Sequence, residues 1–198
     1  MKRVVIALAL HLAAAPALAA EQGDWPCIQR KVPEITAAAI GAPVELALDA
    51  SSWRQEDRVS ALVRELAARR LAVAEAEKKI AALAAESDAA REKLPLVLAG
   101  LLDRLNAERS EVIAGIERYG HKQKQLADML RHEMQAMDQM RADKNADPQK
   151  LTEANDKLAW DTRIFDDRQK SLSYVCEVPI LIEQRMFALG RAILAEMK

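Results

Sequence analysis

A seven-residue hydrophobic repeat runs from Leu94 to about Lys144 with no proline after Pro95. Leu98, Leu105, Val112, Tyr119, Leu126 and Met140 form one seam. Leu102, Ile116, Leu130 and Met137 form a second seam, four residues on. Apolar residues alternating at steps of four and three keep one stripe turned toward a partner helix. About fifty such residues make a rod roughly 75 Å long at about 1.5 Å per residue. A rod that long cannot bury its stripe against itself, so the flanking segments must supply its partners.

Both flanks carry the same period. Val59, Leu66, Val73 and Ile80, with Leu62, Ala76 and Leu83, predict a helix over about 52–90. It opens at Ser51 or Ser52, with Gln55 completing a capping box. On the other side, Asp147-Pro148 reads as an N-cap and a first-turn proline. Leu151, Leu158, Phe165 and Leu172 continue that helix to Ile182, Met186, Leu189 and Ile193, over about 148–197. Pro179 is expected to kink or break it, and Gly190 to weaken it slightly. Short turns make successive helices antiparallel neighbours. The expected fold is all-α: an elongated antiparallel three-helix bundle or coiled coil over 51–198, with helices at about 52–90, 95–145 and 148–197. Only 4% of the chain is aromatic, which suits long helices better than a compact sheet core.

The first twenty residues have the pattern of an export leader: Lys2 and Arg3, an apolar run from Val4, then Ala17-Leu18-Ala19 as a small-x-small cleavage site. The mature chain would begin at Ala20 or Glu21, with no transmembrane span after cleavage and a periplasmic destination. Without Lys2 and Arg3, 27 of the 29 basic residues remain against 30 acidic ones. The signs are interspersed, and no basic tract points to nucleic acid. Cys27 and Cys176 are the two cysteines, and an even count in an oxidising compartment predicts a disulfide. Closing so long a loop is worth about 5 kcal/mol on chain entropy. Residues 21–50 hold Pro26, Pro33 and Pro43 and read as an extended arm. With turns centred near residues 93 and 146, Cys176 lies level with residue 116. The arm then starts halfway along the bundle and is stapled to its outside. Trp25, Ile28 and Arg30 are either packed on the bundle or form a strip for docking a partner.

Arg109 and Gln123 fall on the inner seam of the second helix and Arg69 on that of the first. Level-matching puts Arg109 beside Glu77 and Glu183 as a structural ion-pair layer, of the kind that fixes register. The stretch 129–140 combines His132 with Met134, Met137 and Met140. Thioether and imidazole suit Cu(I), while methionine also fills irregular cores. His132, Met134 and Met137 are therefore the alternative metal site, with no metal and no other cofactor as the main reading. No His-Glu-x-x-His, phosphate loop or nucleophile elbow occurs, so the expectation is a protein that is not an enzyme.

The arm Asp24-Trp25-Pro26-Cys27-Ile28-Gln29-Arg30-Lys31-Val32-Pro33, with Trp53 and Ala67-Ala68-Arg69-Arg70, resembles a set of uncharacterised exported bacterial helical proteins. That resemblance suggests company with envelope proton-channel or OmpA-like assemblies. Leu151-Thr152-Glu153-Ala154-Asn155 is similar to the Leu-Thr-x-x-Gln signature of a periplasmic helical-hairpin stress and metal-sensing group, with asparagine in place of the glutamine. The functional expectation is an exported coiled-coil scaffold or accessory subunit that binds protein partners in the cell envelope. The alternatives are a metal-binding or envelope-stress protein using 129–140, and a periplasmic holdase chaperone.

Overall fold

Two helices of 49 residues each dominate the molecule: α4, Leu94–Ala142, and α5, Pro148–Glu196. The computed structural model describes residues 24–43 and 52–198. The leader over 1–20, residues 21–23, residues 44–50 and Ser51 lie outside that range. Asp147 caps α5 through Gln149 N–H at 2.9 Å, and Pro148 opens its first turn, as the Asp-Pro pair implies. The helices lie antiparallel, each about 74 Å long. Their register is read from three cross-contacts. Tyr119 Oη donates to Arg168 O at 2.8 Å, Gln123 Nε2 to Phe165 O at 3.4 Å, and Lys157 pairs with Glu133. Cys176 then falls beside Ile113 and Ile116, the level expected for it.

The single helix expected over 52–90 is three: α1, Asp57–Ala67; α2, Val73–Glu86; and α3, Asp88–Arg91. Glu56 is the N-cap of α1, its carboxylate accepting from Val59 N–H at 2.9 Å. The expected serine cap is thus displaced by a longer acceptor. Ala68 and Ala72 are extended. The break lets α1 pack on α4 while α2 packs on α5. Arg185 of α5 is the reason it is stable. Its Nε donates to Leu66 O and its Nη1 to Leu71 O, both at 2.8 Å, so carbonyls freed by the break keep a donor.

The core sits at the base of the hairpin. There Leu94, Leu98, Leu101 and Leu105 meet Ile182, Met186, Leu189 and Ile193, closed over by Val63 and Leu66 of α1 and Ile80 of α2. Toward the turn between α4 and α5, only the two long helices remain among the described residues. The three-helix bundle is thus a two-helix hairpin whose base alone is wrapped by the shorter helices and the arm. Along α4, Leu102, Arg109, Ile116, Gln123, Leu130 and Met137 are all buried, so the second seam faces α5 over its full length. The first seam thins out: Val112, Tyr119 and Met140 are half-buried. α5 runs through Pro179 without a break. The ring removes the donor for the Val175 carbonyl, but Pro179 is itself buried in the hairpin and packing on both sides holds the helix together.

Candidate functional site

The arm does not lie loosely on the outside. It occupies a groove between α4 and α5, lined by two stripes at seven-residue spacing. From α4 come Ala99, Asn106, Ile113 and Gly120; from α5 come Gly190, Glu183 and Cys176. At this period successive members of a stripe stack along one line of the helix. The arm enters at Asp24, whose carboxylate meets His121 Nδ1 and Lys124 Nζ, both at 3.0 Å. Lys124 and His121 hold that carboxyl below its usual range. Gly120 lets the backbone approach: a Cβ there would stand 2.2 Å from Asp24 O.

From that entry the arm descends toward the base. Trp25 packs with Ile113, Ile116 and Leu172 and donates from Nε1 to Gln29 O at 2.7 Å. The disulfide follows, Cys27 to Cys176, with Cα atoms 5.7 Å apart across a sequence separation of 149. Gln29 Nε2 donates to Cys176 O, one residue along from the carbonyl freed by Pro179. Lys31 pairs with Glu117, and Arg109 Nη1 donates to Val32 O. Asn106 then holds both sides of Ile35: its Nδ2 donates to Ile35 O and its Oδ1 accepts from Ile35 N–H, each at 2.9 Å. That is the pairing a neighbouring strand would offer. At the base Ile40 inserts against Gly190, where a Cβ would sit 3.0 Å from Ile40 Cδ1. The glycine read as a weak point is the space that admits the arm.

The expected site residues are now located. The disulfide forms. Of the docking strip, Trp25 is buried while Ile28 and Arg30 are exposed. Trp25 is an anchor of the arm, and Ile28 borders a notch of about 260 Å³ beside the disulfide. Arg109 is buried with Glu183 at 3.9 Å. Burial pulls its guanidinium pKa down, and Glu183 works against that. Glu77 is not in this layer. The break after α1 carries α2 away from α4, and Glu77 lies exposed by the α2–α5 groove with Arg191. Arg69 is exposed in the break and pairs with Glu108 at 3.1 Å. Gln123 is buried in the seam as expected. Of the alternative metal ligands, Met137 is only 1% exposed, Met134 is 54% exposed and His132 is exposed. Positions two apart on a helix point to opposite sides, so His132 and Met134 diverge while Met137 is sealed in the seam.

Above Asp24 both groove stripes continue toward the turn, as Ala127, Met134 and Arg141 on α4 and Gln169, Thr162 and Asn155 on α5. None of these is buried. Arg141 Nη2 donates across to Asn155 Oδ1 at 3.4 Å. Met129 is exposed on the other flank of the seam. This open end of the hairpin has a closed inner seam, at Leu126, Leu130 and Met137, and apolar thioethers on both shoulders. No helix among the described residues is long and apolar enough to cross a membrane. No protein-family model, curated protein or solved structure matches the chain.

Proposed function

We propose that the chain is a non-enzymatic, exported coiled-coil scaffold or accessory subunit of a cell-envelope complex, and that it binds its protein partner through the open end of the hairpin. The observation that carries this reading is the change in packing along α4. The groove stripe is filled by the arm as far as Gly120; beyond it, among the described residues, no arm segment lies on the stripe, where Ala127 is half-buried and Met134 exposed. A groove that accepts an extended segment in one half offers the same spacing in the other. Flexible thioethers on its rim adapt to a partner surface at little packing cost. The leader pattern and the disulfide support export to an oxidising compartment. The inner seam that a holdase would need open is closed here at Leu126, Leu130 and Met137.

The test is a crosslinking pull-down from native envelopes, comparing wild type with Met129→Lys/Met134→Lys. Both side chains are exposed, so the melting curve should stay within a degree or two. A defined partner set recovered with wild type and lost with the variant is the expected result. Equal recovery from both, or no partner from either, would remove the reading's main support.

A further inference from the structure

α5 carries a second heptad seam on the side facing away from α4. At the base this seam passes through Ala188, Ala192 and Ala195, and α2 sits beside it with Ala74 and Ala81. The cover ends where α2 begins, at Val73. Beyond it the same seam continues in steps of four and three; Val178 on it packs half-buried against the base core, while its outermost large members stand open among the described residues. Leu181 is 52% exposed, Tyr174 73% and Trp160 63%. These three are spaced by seven and fourteen residues, so they lie along one slowly drifting stripe of the helix. Large apolar side chains repeating at the coiled-coil period are the mark of a helix awaiting a helix.

The order of residues along the seam selects the occupant. Trp160 and Ile164 are apolar, Asp167 and Ser171 are polar, and Tyr174 and Leu181 are apolar again at the far end. Apolar, polar, apolar reads the same in both directions, as an isologous two-fold contact requires. The flanking charges obey the same symmetry. Arg163, Lys170 and Glu177 lie along one edge at seven-residue spacing. Antiparallel pairing about Lys170 sets each Arg163 against the other copy's Glu177. Neither of these has an ion-pair partner among the described residues. The same pairing brings Trp160 to Leu181 of the second copy and the Tyr174 hydroxyl near its Asp167. Asp167 holds Lys170 at 3.4 Å, which offsets the meeting of two lysines on the axis.

We infer that the exposed seam of α5 is a self-association surface, on which two copies of this chain pair antiparallel about Lys170. The inference goes beyond the scaffold reading and does not depend on it, since the open end uses Met129 and Met134 while the dimer uses the far side of α5.

The test is sedimentation equilibrium of the mature, disulfide-bonded protein over a wide concentration range, with four variants. Leu181→Glu should raise the dimer dissociation constant at least about tenfold. Arg163→Glu and Glu177→Arg should each raise it severalfold, and the two together should restore it, because the swap returns opposite charges to each pair. All three positions are exposed, and unchanged melting curves would show that the fold is kept. Three results would overturn the inference: a monomer at every concentration, a dimer indifferent to Leu181→Glu, and a charge swap that fails to rescue.

Discussion

Replacing Gly120 by alanine should destabilise this protein, although the same change in a helix interior ordinarily stabilises by about 1 kcal/mol. A Cβ at this position would lie 2.2 Å from Asp24 O and 3.1 Å from two carbons of the Pro26 ring. A relaxed C···O contact is about 3.3 Å, so the arm must retreat by roughly 1 Å. It is held three residues on by Cys27–Cys176 and beside the clash by Lys124 and His121. Overpacking of this kind costs about 1–3 kcal/mol, which outweighs the helix gain and leaves a net loss of about 1–2 kcal/mol. Gly115 on the same helix is the control. Its Cβ would meet nothing nearer than Arg118 Nη2 at 3.8 Å, and Gly115→Ala should stabilise by about 1 kcal/mol. The assay is urea unfolding at pH 7 of the oxidised chain without residues 1–20. Repeating it in Cys27→Ser/Cys176→Ser frees the arm to lift, and the penalty of Gly120→Ala should shrink or reverse. The reasoning fails if Gly120→Ala stabilises as much as Gly115→Ala, or if its cost is the same with and without the disulfide.

Asn106→Ala should cost about 2 kcal/mol, because both sides of the Ile35 peptide lose partners at 2.9 Å; Asn106→Asp, which keeps the acceptor alone, should fall between. Arg185→Met should cost about 2–4 kcal/mol in the same titration by leaving Leu66 O and Leu71 O without donors, and Arg185→Lys should recover only part because the planar fork is lost. Stability should decline in acid. Lys124 holds the Asp24 carboxyl low, the Val59 amide and then Lys93 hold Glu56 low, and Arg58 holds Glu86 low. Carboxylates depressed in the fold stabilise it above their unfolded pKa, about 4, and that contribution is lost as pH falls through the folded values. Urea midpoints measured from pH 6 to pH 2.5 should drop chiefly below about pH 4, and Glu56→Gln should flatten the curve.

The hairpin was legible because its signals are local and repeated. Leu102, Ile116, Leu130 and Met137 announce their seam by spacing alone, and Asp147-Pro148 announces the start of α5. The disulfide followed from a count of two, and its level from simple register arithmetic. The break at 68–72 had no such signal. Ala67-Ala68-Arg69-Arg70-Leu71-Ala72 contains no glycine or proline, and Val59, Leu66, Val73 and Ile80 keep their period straight across it. What ends α1 is a residue more than a hundred positions away, Arg185, whose two bonds make an interrupted helix satisfactory. Tertiary context of that kind overrides local propensity. The Arg109–Glu77 pairing failed with it, since it assumed one unbroken rod. The arm was legible as extended but not as a packed element. The clue lay in the other chain segments, where Asn106, Ile113 and Gly120 share a period with Ala99, and Gly190 shares one with Cys176. Gly190 reads as a weak point in a long helix by propensity alone, whereas in the fold it is room for Ile40. Pro179 shows the reverse case, a breaker residue held inside a helix by its burial in the hairpin.

The central claim is that the arm completes the hairpin while the open end meets the partner. A photoreactive amino acid placed at position 134, and in a separate chain at position 28, tests this in the living envelope. Both sites are exposed, so each reports what touches it. The account predicts a discrete adduct to another envelope protein from position 134 and none from position 28. Adducts from position 28 alone would return the docking role to the arm and contradict the account.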